Sequence, residues 1–306
     1  MNVIILGAGL AGLSSAYHLK QVRIDYELYD RDHKIGGLCR SDAVKGFTFD
    51  RTLHVLFLKN QYVKTLIKEI TREKFLIHKR RALVHFNGAF IPYPFQVYFP
   101  MLPFPSVIED CITGMERLTE SPYGNLESKN LKEWIYYTFG DGIAEHFMVP
   151  YNRKLWTIPL DELICDWTTK YVPRPNVKEI LRFAKKKKNL KKMKREYGYN
   201  VEFQYPFRGG IEVLSKGFAS NLNKERLHLG YEVRAILLRK KKILFSNGDT
   251  VKWDVLVSTI PLPQLVFCIK DVPSTIREVA SNLRYISIYN LNLGIDERET
   301  TQAHWI

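Results

Sequence analysis

Val3-Ile4-Ile5-Leu6-Gly7-Ala8-Gly9-Leu10-Ala11-Gly12 stands two residues into the chain, and its reading decides the fold. Four consecutive apolar residues that stop at a glycine read as a short strand buried on both faces. Residues 10–20 read as a helix and residues 26–29 as the next strand, which makes a β-α-β unit at the very start. Within it, Gly7 permits the tight turn out of the strand, Gly9 lets a pyrophosphate approach the backbone, and Gly12 lets the helix pack closely on the strand. Ala11 lies in the first turn of that helix, whose free N–H groups and positive dipole end form an anion site. Asp30 ends the second strand 23 residues after Gly7, where a carboxylate can hold the ribose hydroxyls of an adenosine. A dinucleotide is the ligand this unit is built for.

A second glycine turn follows in Gly36-Gly37-Leu38, six residues past Asp30, where it can bring further N–H groups to the same dinucleotide. Beyond it, residues 46–49 and 81–90 read as strands, the latter turning at Asn87-Gly88. Helical patterns dominate residues 106–195, for example 131–147, with interruptions at Pro150 and Pro159. A strand returns at 201–205 and a helix at about 211–222. Residues 232–238, 243–245 and 255–257 then read as a small meander separated by basic and Asn-Gly turns. Strands, a helical stretch and strands again point to a discontinuous domain rather than a row of independent ones.

At 306 residues, with 45% hydrophobic and 25% charged residues, the chain has the ordinary globular balance and can bury a sizeable core without staples. Its four cysteines, Cys39, Cys111, Cys165 and Cys268, form no metal or disulfide pattern, so we expect no metal site and a reducing, cytoplasmic location. Residues 82–108 contain no Asp, Glu, Lys or Arg but carry five prolines, which a spanning helix would not tolerate, so no transmembrane segment is expected. Nor is a signal peptide, because no basic residue precedes the first apolar run. The net charge is +14, and residues 185–195, from Lys185 to Arg195, supply eight of the 46 basic residues. That run reads as a solvated face or as a peripheral contact with anionic surfaces; no nucleic-acid motif accompanies it.

Several strings in the middle of the chain combine aromatic and amide side chains: residues 49–57 around His54 and Phe57, Tyr93-Pro94-Phe95-Gln96, Pro150-Tyr151-Asn152-Arg153-Lys154-Leu155-Trp156, Asn200 to Pro206, and Arg208-Gly209-Gly210. Aromatic faces beside amides that can bond in pairs, Tyr93 with Gln96 and Asn152 with Trp156, suit a sugar nucleotide; they also suit a satisfied aromatic core. His54 between apolar residues has the pattern of a packed histidine, and the Asp50–His54 spacing makes no dyad. No Gly-x-Ser-x-Gly or His-Glu-x-x-His motif is present.

The Gly36-Gly37 turn resembles the extended fingerprint of FAD proteins in the amine oxidase, phytoene desaturase and UDP-galactopyranose mutase superfamily. Glu232-Val233 resembles the strand whose backbone holds the adenine there, and Val257-Ser258-Thr259-Ile260-Pro261 the strand end that returns to the cofactor. The ordered strings around Tyr93 and Asn152 are similar to eukaryotic-type UDP-galactopyranose mutases and related protoporphyrinogen-oxidase-like enzymes. The resemblance runs along the whole chain. It implies an α/β fold: a discontinuous Rossmann-like FAD-binding domain (residues 1–75 and 208–265), a small mixed or antiparallel substrate-side sheet (76–100, 196–207 and 266–306) and a helical insert (101–195). FAD would contact Gly7, Gly9, Ala11, Gly12, Asp30, Gly36, Gly37, Leu38 and Val233. His54 would lie beside the isoalloxazine as the catalytic residue, and Phe57, Tyr93, Gln96, Asn152, Trp156 and Asn200 would line a nucleotide-sugar pocket. In the mutases the reduced flavin N5 attacks the anomeric carbon and displaces UDP, while the protein orients and neutralises.

Three features depart from that pattern. Thr52 and Leu53 replace the Gly-Gly before the mutase histidine. Tyr171, with Lys170 and Arg174 nearby, replaces an arginine that clamps the diphosphate. The last residues, His304-Trp305-Ile306, fall where the mutases continue for roughly another hundred. Two further readings therefore stand beside the mutase: a flavin oxidase or dehydrogenase taking hydride from an amine or a C–C bond, and a non-catalytic dinucleotide-binding remnant.

Overall fold

The structure, a computed structural model, describes residues 1–120, 130–172, 174, 176–186, 202–297 and 301–306. The chain divides into two compact units, Met1–His78 with Glu202–Ile295, and Lys79–Val201 with Asp296–Ile306.

The first unit is built on a four-stranded parallel sheet in the order Val255–Ser258, Val3–Leu6, Tyr26–Asp30, Leu227–Leu229. All four residues of Val3–Leu6 are buried, as a central strand covered on both faces requires. Alternation sends Val3 and Ile5 to one face, where they meet Leu13 and Ala16 of the helix Leu10–Gln21 and Leu66, Ile70 and Phe218 of the helices Gln61–Thr71 and Val213–Ser220. Ile4 and Leu6 point the other way, onto Ile236, Ile243, Phe245 and Trp253. That second layer is the antiparallel meander Val233–Leu237, Lys242–Phe245, Thr250–Lys252.

The meander differs from the sequence expectation. Its third strand is Thr250–Lys252, closed by the turn at Asn247-Gly248, and the apolar run beginning at Val255 leaves it to pair in parallel with Val3–Leu6. A bond from Asp254 N–H to Asn2 O, 2.9 Å, marks the crossing. The strand expected over residues 46–49 is Phe47–Asp50, and its partner Ser41–Val44 joins it through a two-residue turn in which Lys45 and Gly46 both have positive φ.

In the second unit, Leu83–Phe86 and Ala89–Pro92 form the hairpin expected at Asn87-Gly88. The helices Pro105–Glu120, Leu131–Ile143 and Val177–Lys186 enclose a core that includes Phe95, Phe99, Cys111, Met115, Phe139 and Ile180. The single helix expected over residues 131–147 is kinked at Gly140 and passes into a π-helical turn, Ala144–Met148. Pro150 does not interrupt it. It sits in the first turn of the helix Val149–Trp156, where a missing N–H is least costly. Among the described residues no helix is long and apolar enough to cross a membrane. Most of the basic run, residues 187–195, lies outside the described residues.

Cys111 is fully buried between these helices, and burial pushes its thiol from the usual 9 up to about 12. The unfolded chain therefore ionises this thiol first, so the stability it protects is complete below about pH 9 and is lost as pH rises toward 12. Urea titrations at increasing alkaline pH should show falling stability, less so in Cys111→Ala, and alkylation by iodoacetamide should reach half-buried Cys268 well before Cys111.

Candidate functional site

Gly7 carries the chain from the central strand into the helix with φ +102°, and its N–H donates to Tyr29 O at 2.8 Å. The approach of helix to strand is so close that a Cβ on Gly12 would stand 1.8 Å from Gly7 O. Gly9 is the helix N-cap, in extended conformation, and no side chain caps the helix. A Cβ on Gly9 would meet nothing within 4 Å. An uncapped helix start thus opens onto free space, the arrangement that accepts an anionic group on backbone N–H donors.

The second glycine turn lies directly alongside. Gly36 N–H donates to Ala8 O at 2.8 Å, Gly9 and Gly36 form a parallel bridge, and a Cβ on Gly37 would be 3.4 Å from Gly9 Cα. Ala11 and Leu38 are exposed next to these turns. Both glycine turns therefore flank one patch of backbone donors. A pyrophosphate fits there without displacing a side chain, which is the chemistry an FAD site requires.

Asp30 ends its strand as expected, but its carboxylate is already engaged. Oδ2 accepts from Ala8 N–H at 2.5 Å and Oδ1 from Asp32 N–H at 2.8 Å. A carboxylate has about four acceptor positions, so two remain for ribose hydroxyls. Asp30 thus pins the glycine turn and keeps unused acceptor positions. The backbone beyond it is fixed by Tyr231 N–H on Asp30 O, 2.8 Å, and Gly230 N–H on Asp32 O, 3.1 Å, which brings Val233 two residues further along the same segment.

Sequence reasoning missed Arg40. Its guanidinium is buried, pairs with Asp32 at 2.8 Å and donates to Ile35 O at 2.8 Å and to Lys34 O, holding the loop that leads into Gly36-Gly37. Only its place four residues after Gly36 could have flagged it.

His54 is half-buried. Its Nδ1 lies 2.9 Å from Thr52 O and 3.0 Å from Thr52 Oγ1. A carbonyl can only accept, so Nδ1 carries the proton that lies toward Thr52 O. Neither Thr52 nor Leu53 is among the positive-φ residues, so this loop needs no glycine in the conformation seen here. Leu56 bonds both ways to Gln204, at 3.0 and 2.8 Å, and Phe57 next to it is exposed.

The remaining substrate candidates lie in the second unit. The Tyr93 ring is covered by the Arg80 guanidinium at 4.8 Å, which also lies over the Trp305 ring at 5.2 Å. Gln96 is buried in the short helix Phe95–Tyr98. Asn152, also buried, donates from Nδ2 to Met148 O at 2.7 Å and accepts from Trp156 Nε1 at 3.3 Å. One N–H and one oxygen lone pair of the amide are thus engaged with neighbouring helical residues, and one N–H and one acceptor position remain. Asn200 lies outside the described residues. Tyr171 is exposed, and Arg174 is stacked over Trp134 at 5.2 Å.

A family model described as flavin containing amine oxidoreductase matches residues 10–302. Among solved structures, a reduced UDP-galactopyranose mutase superposes with a TM-score of 0.85 at 29% identity, covering 93% of this chain and 60% of that one. A putative protoporphyrinogen oxidase from Exiguobacterium sp. 255-15 superposes with a TM-score of 0.64 at 18% identity, over 90% of this chain and 63% of that one. The zeta-carotene-forming phytoene desaturase of Myxococcus xanthus is 22% identical over 99% of this chain and 62% of its own length. A hydroxysqualene dehydroxylase of Sinorhizobium fredii is 36% identical over 78 residues, 25% of this chain and 19% of that protein. The chain spans about three-fifths of the mutase and the desaturase and a smaller part of the dehydroxylase.

Removing the Asp30 carboxylate leaves the buried Ala8 N–H without its acceptor. Asp30→Ala should lower the unfolding free energy of the flavin-free protein by about 1–3 kcal/mol in urea titrations, an effect absent if the side chain served only a bound nucleotide.

Proposed function

The chain belongs to the flavin containing amine oxidoreductase family, whose cofactor is FAD, and from that membership we propose a flavoenzyme acting on a nucleotide sugar in the manner of a UDP-galactopyranose mutase. The observation that carries this reading is the superposition on the mutase, closer in fold (TM-score 0.85) and in sequence (29%) than on the putative protoporphyrinogen oxidase (0.64 and 18%).

In this reading Gly7, Gly9, Ala11 and Gly12 hold the pyrophosphate at the open helix start, and Gly36, Gly37 and Leu38 close over it. The two free acceptor positions of Asp30 take ribose hydroxyls, and the backbone at Val233 borders the adenine. FAD, when reduced and bound, supplies a nucleophilic N5. The protein's part is to orient the substrate and exclude water. His54 offers Nε2 as an acceptor, Phe57 offers an exposed aromatic face, and Asn152 holds the Trp156 indole by its Nε1–H. Tyr93, Gln96 and Asn200 are the further sugar-nucleotide residues that the resemblance implies. The free thiols suit a reducing, cytoplasmic location.

One observation favours a second reading, an oxidase or dehydrogenase acting on an amine or a C–C bond. Arg174 is engaged with the Trp134 ring, and the resemblance implies Tyr171 where the mutases carry the diphosphate arginine. Such a substrate would need no diphosphate clamp.

Gly9 separates cofactor binding from folding, because a Cβ added there meets nothing within 4 Å in the flavin-free fold. Gly9→Ala should leave the urea midpoint of the flavin-free protein nearly unchanged while weakening FAD at least about 100-fold, or ~2.8 kcal/mol. Unchanged FAD affinity would remove the pyrophosphate from this turn. For the reaction, the FAD-loaded protein reduced with dithionite should interconvert the ring forms of UDP-galactose with no net redox change. Anaerobic bleaching of the oxidised flavin by an amine such as putrescine, without turnover of the UDP-sugar, would establish the oxidase reading instead.

A further inference from the structure

Asp50 closes the strand Phe47–Asp50 four residues before His54, and its carboxylate gathers donors from segments far apart in sequence. Oδ1 accepts from Ser41 Oγ at 2.6 Å and from Ile211 N–H at 3.0 Å, and Oδ2 accepts from Tyr205 OH at 2.6 Å. Ser41 Oγ in turn accepts from Glu212 N–H at 3.1 Å. Beside this junction Arg51 N–H donates to Arg40 O at 2.9 Å, and Arg40 is the buried side chain that holds the loop before Gly36-Gly37. The Arg208-Gly209-Gly210 turn is pressed onto the carboxylate: a Cβ on Gly210, at φ +65°, would lie 2.3 Å from Ser41 Oγ and 2.6 Å from Asp50 Oδ1. Burial and the bond to Asp50 push the Tyr205 phenol far above its ordinary range, so it stays a donor at any physiological pH.

We propose that Asp50 is a positioning residue that carries the placement of the Gly36-Gly37 turn to the His54 loop. Two bonds span the gap, Ser41 to Asp50 and Arg51 to Arg40, and both lie between the second glycine turn and the histidine. The loop from Arg51 to Phe57 has no regular secondary structure beyond one bridge residue, Leu56, so its first residues take their position from this junction. Three donors converging on one carboxylate make a well-defined anchor, because each would otherwise be left unpaired in a part-buried place. Catalytic side chains need such support to hold a productive geometry. Asp50 itself touches no proposed ligand. The inference rests on the proposed function in one respect, that FAD lies against Gly36-Gly37.

Hydrogen exchange read by mass spectrometry on the whole chain, with and without added FAD, tests it. In the unsubstituted protein FAD should slow exchange at residues 36–41 and also at 51–57. In Asp50→Asn, which keeps the side-chain shape, FAD should bind within about threefold of the original affinity and still protect 36–41, yet protect 51–57 at least tenfold less. Tyr205→Phe, which removes one donor and no charge, should show the same loss in smaller measure. A purely structural role would speed exchange at 51–57 equally with and without FAD, leaving the FAD-induced difference intact, and that result overturns the proposal. FAD-induced protection of 51–57 that persists in both variants overturns it as well. If the unsubstituted protein shows no FAD-induced protection at 36–41, the FAD placement fails and this inference fails with it, a pattern distinct from either result in the variants.

Discussion

The structure depends on one close contact, that of a helix start with the strand that feeds it. With Gly7 O only 1.8 Å from the place a Gly12 Cβ would take, the helix Leu10–Gln21 can lie against Val3–Leu6 only because that Cβ is missing. The same geometry leaves the helix N-terminus uncapped at Gly9. Packing and binding thus have one origin: the residues that allow the helix to approach are the ones that leave backbone donors facing open space.

Around that contact the unit is reinforced from the polar side. Asp30 ties the glycine turn to the neighbouring strand, Arg40 holds the loop of the second turn, and Asp50 joins that region to the histidine loop and the Gly209-Gly210 turn. Each charged side chain is met by backbone groups, hydroxyls or an opposite charge, so part-buried charge is compensated within the protein. The result is a platform of fixed backbone with few side chains projecting at the glycine turns. Such a platform suits a rigid, anionic cofactor better than a flexible ligand.

Much of this was legible in the sequence where the signal is local. Val3–Leu6, the glycine spacing, Asp30 at its strand end and the Asn87-Gly88 hairpin all follow from runs of a few residues, and the structure has them where they were expected. Two of the strands that escaped are short or weakly patterned. Leu227–Leu229 has only three residues, and Ser41–Val44 alternates little and is mostly exposed. The helix Gln61–Thr71 could have been read from its apolar stripe Leu66, Ile67, Ile70 and its Asn60 cap. At the site, glycines announce themselves by spacing, but Arg40 and Asp50 act through partners that only the fold supplies; Asp50 and Ile211 are 161 residues apart. Asn152 shows the opposite case. Its motif is conspicuous in sequence, whereas its amide bonds within its own helix.

Under the proposed function the paired glycine turns bind the pyrophosphate of a flavin dinucleotide, so affinity must come from the ADP half of the cofactor. Fluorescence titration of the flavin-free protein with FAD, FMN and riboflavin in parallel measures that directly. FAD should bind at least about 100-fold more tightly than FMN or riboflavin, a difference of ~2.8 kcal/mol. Equal affinities for the three flavins would contradict it.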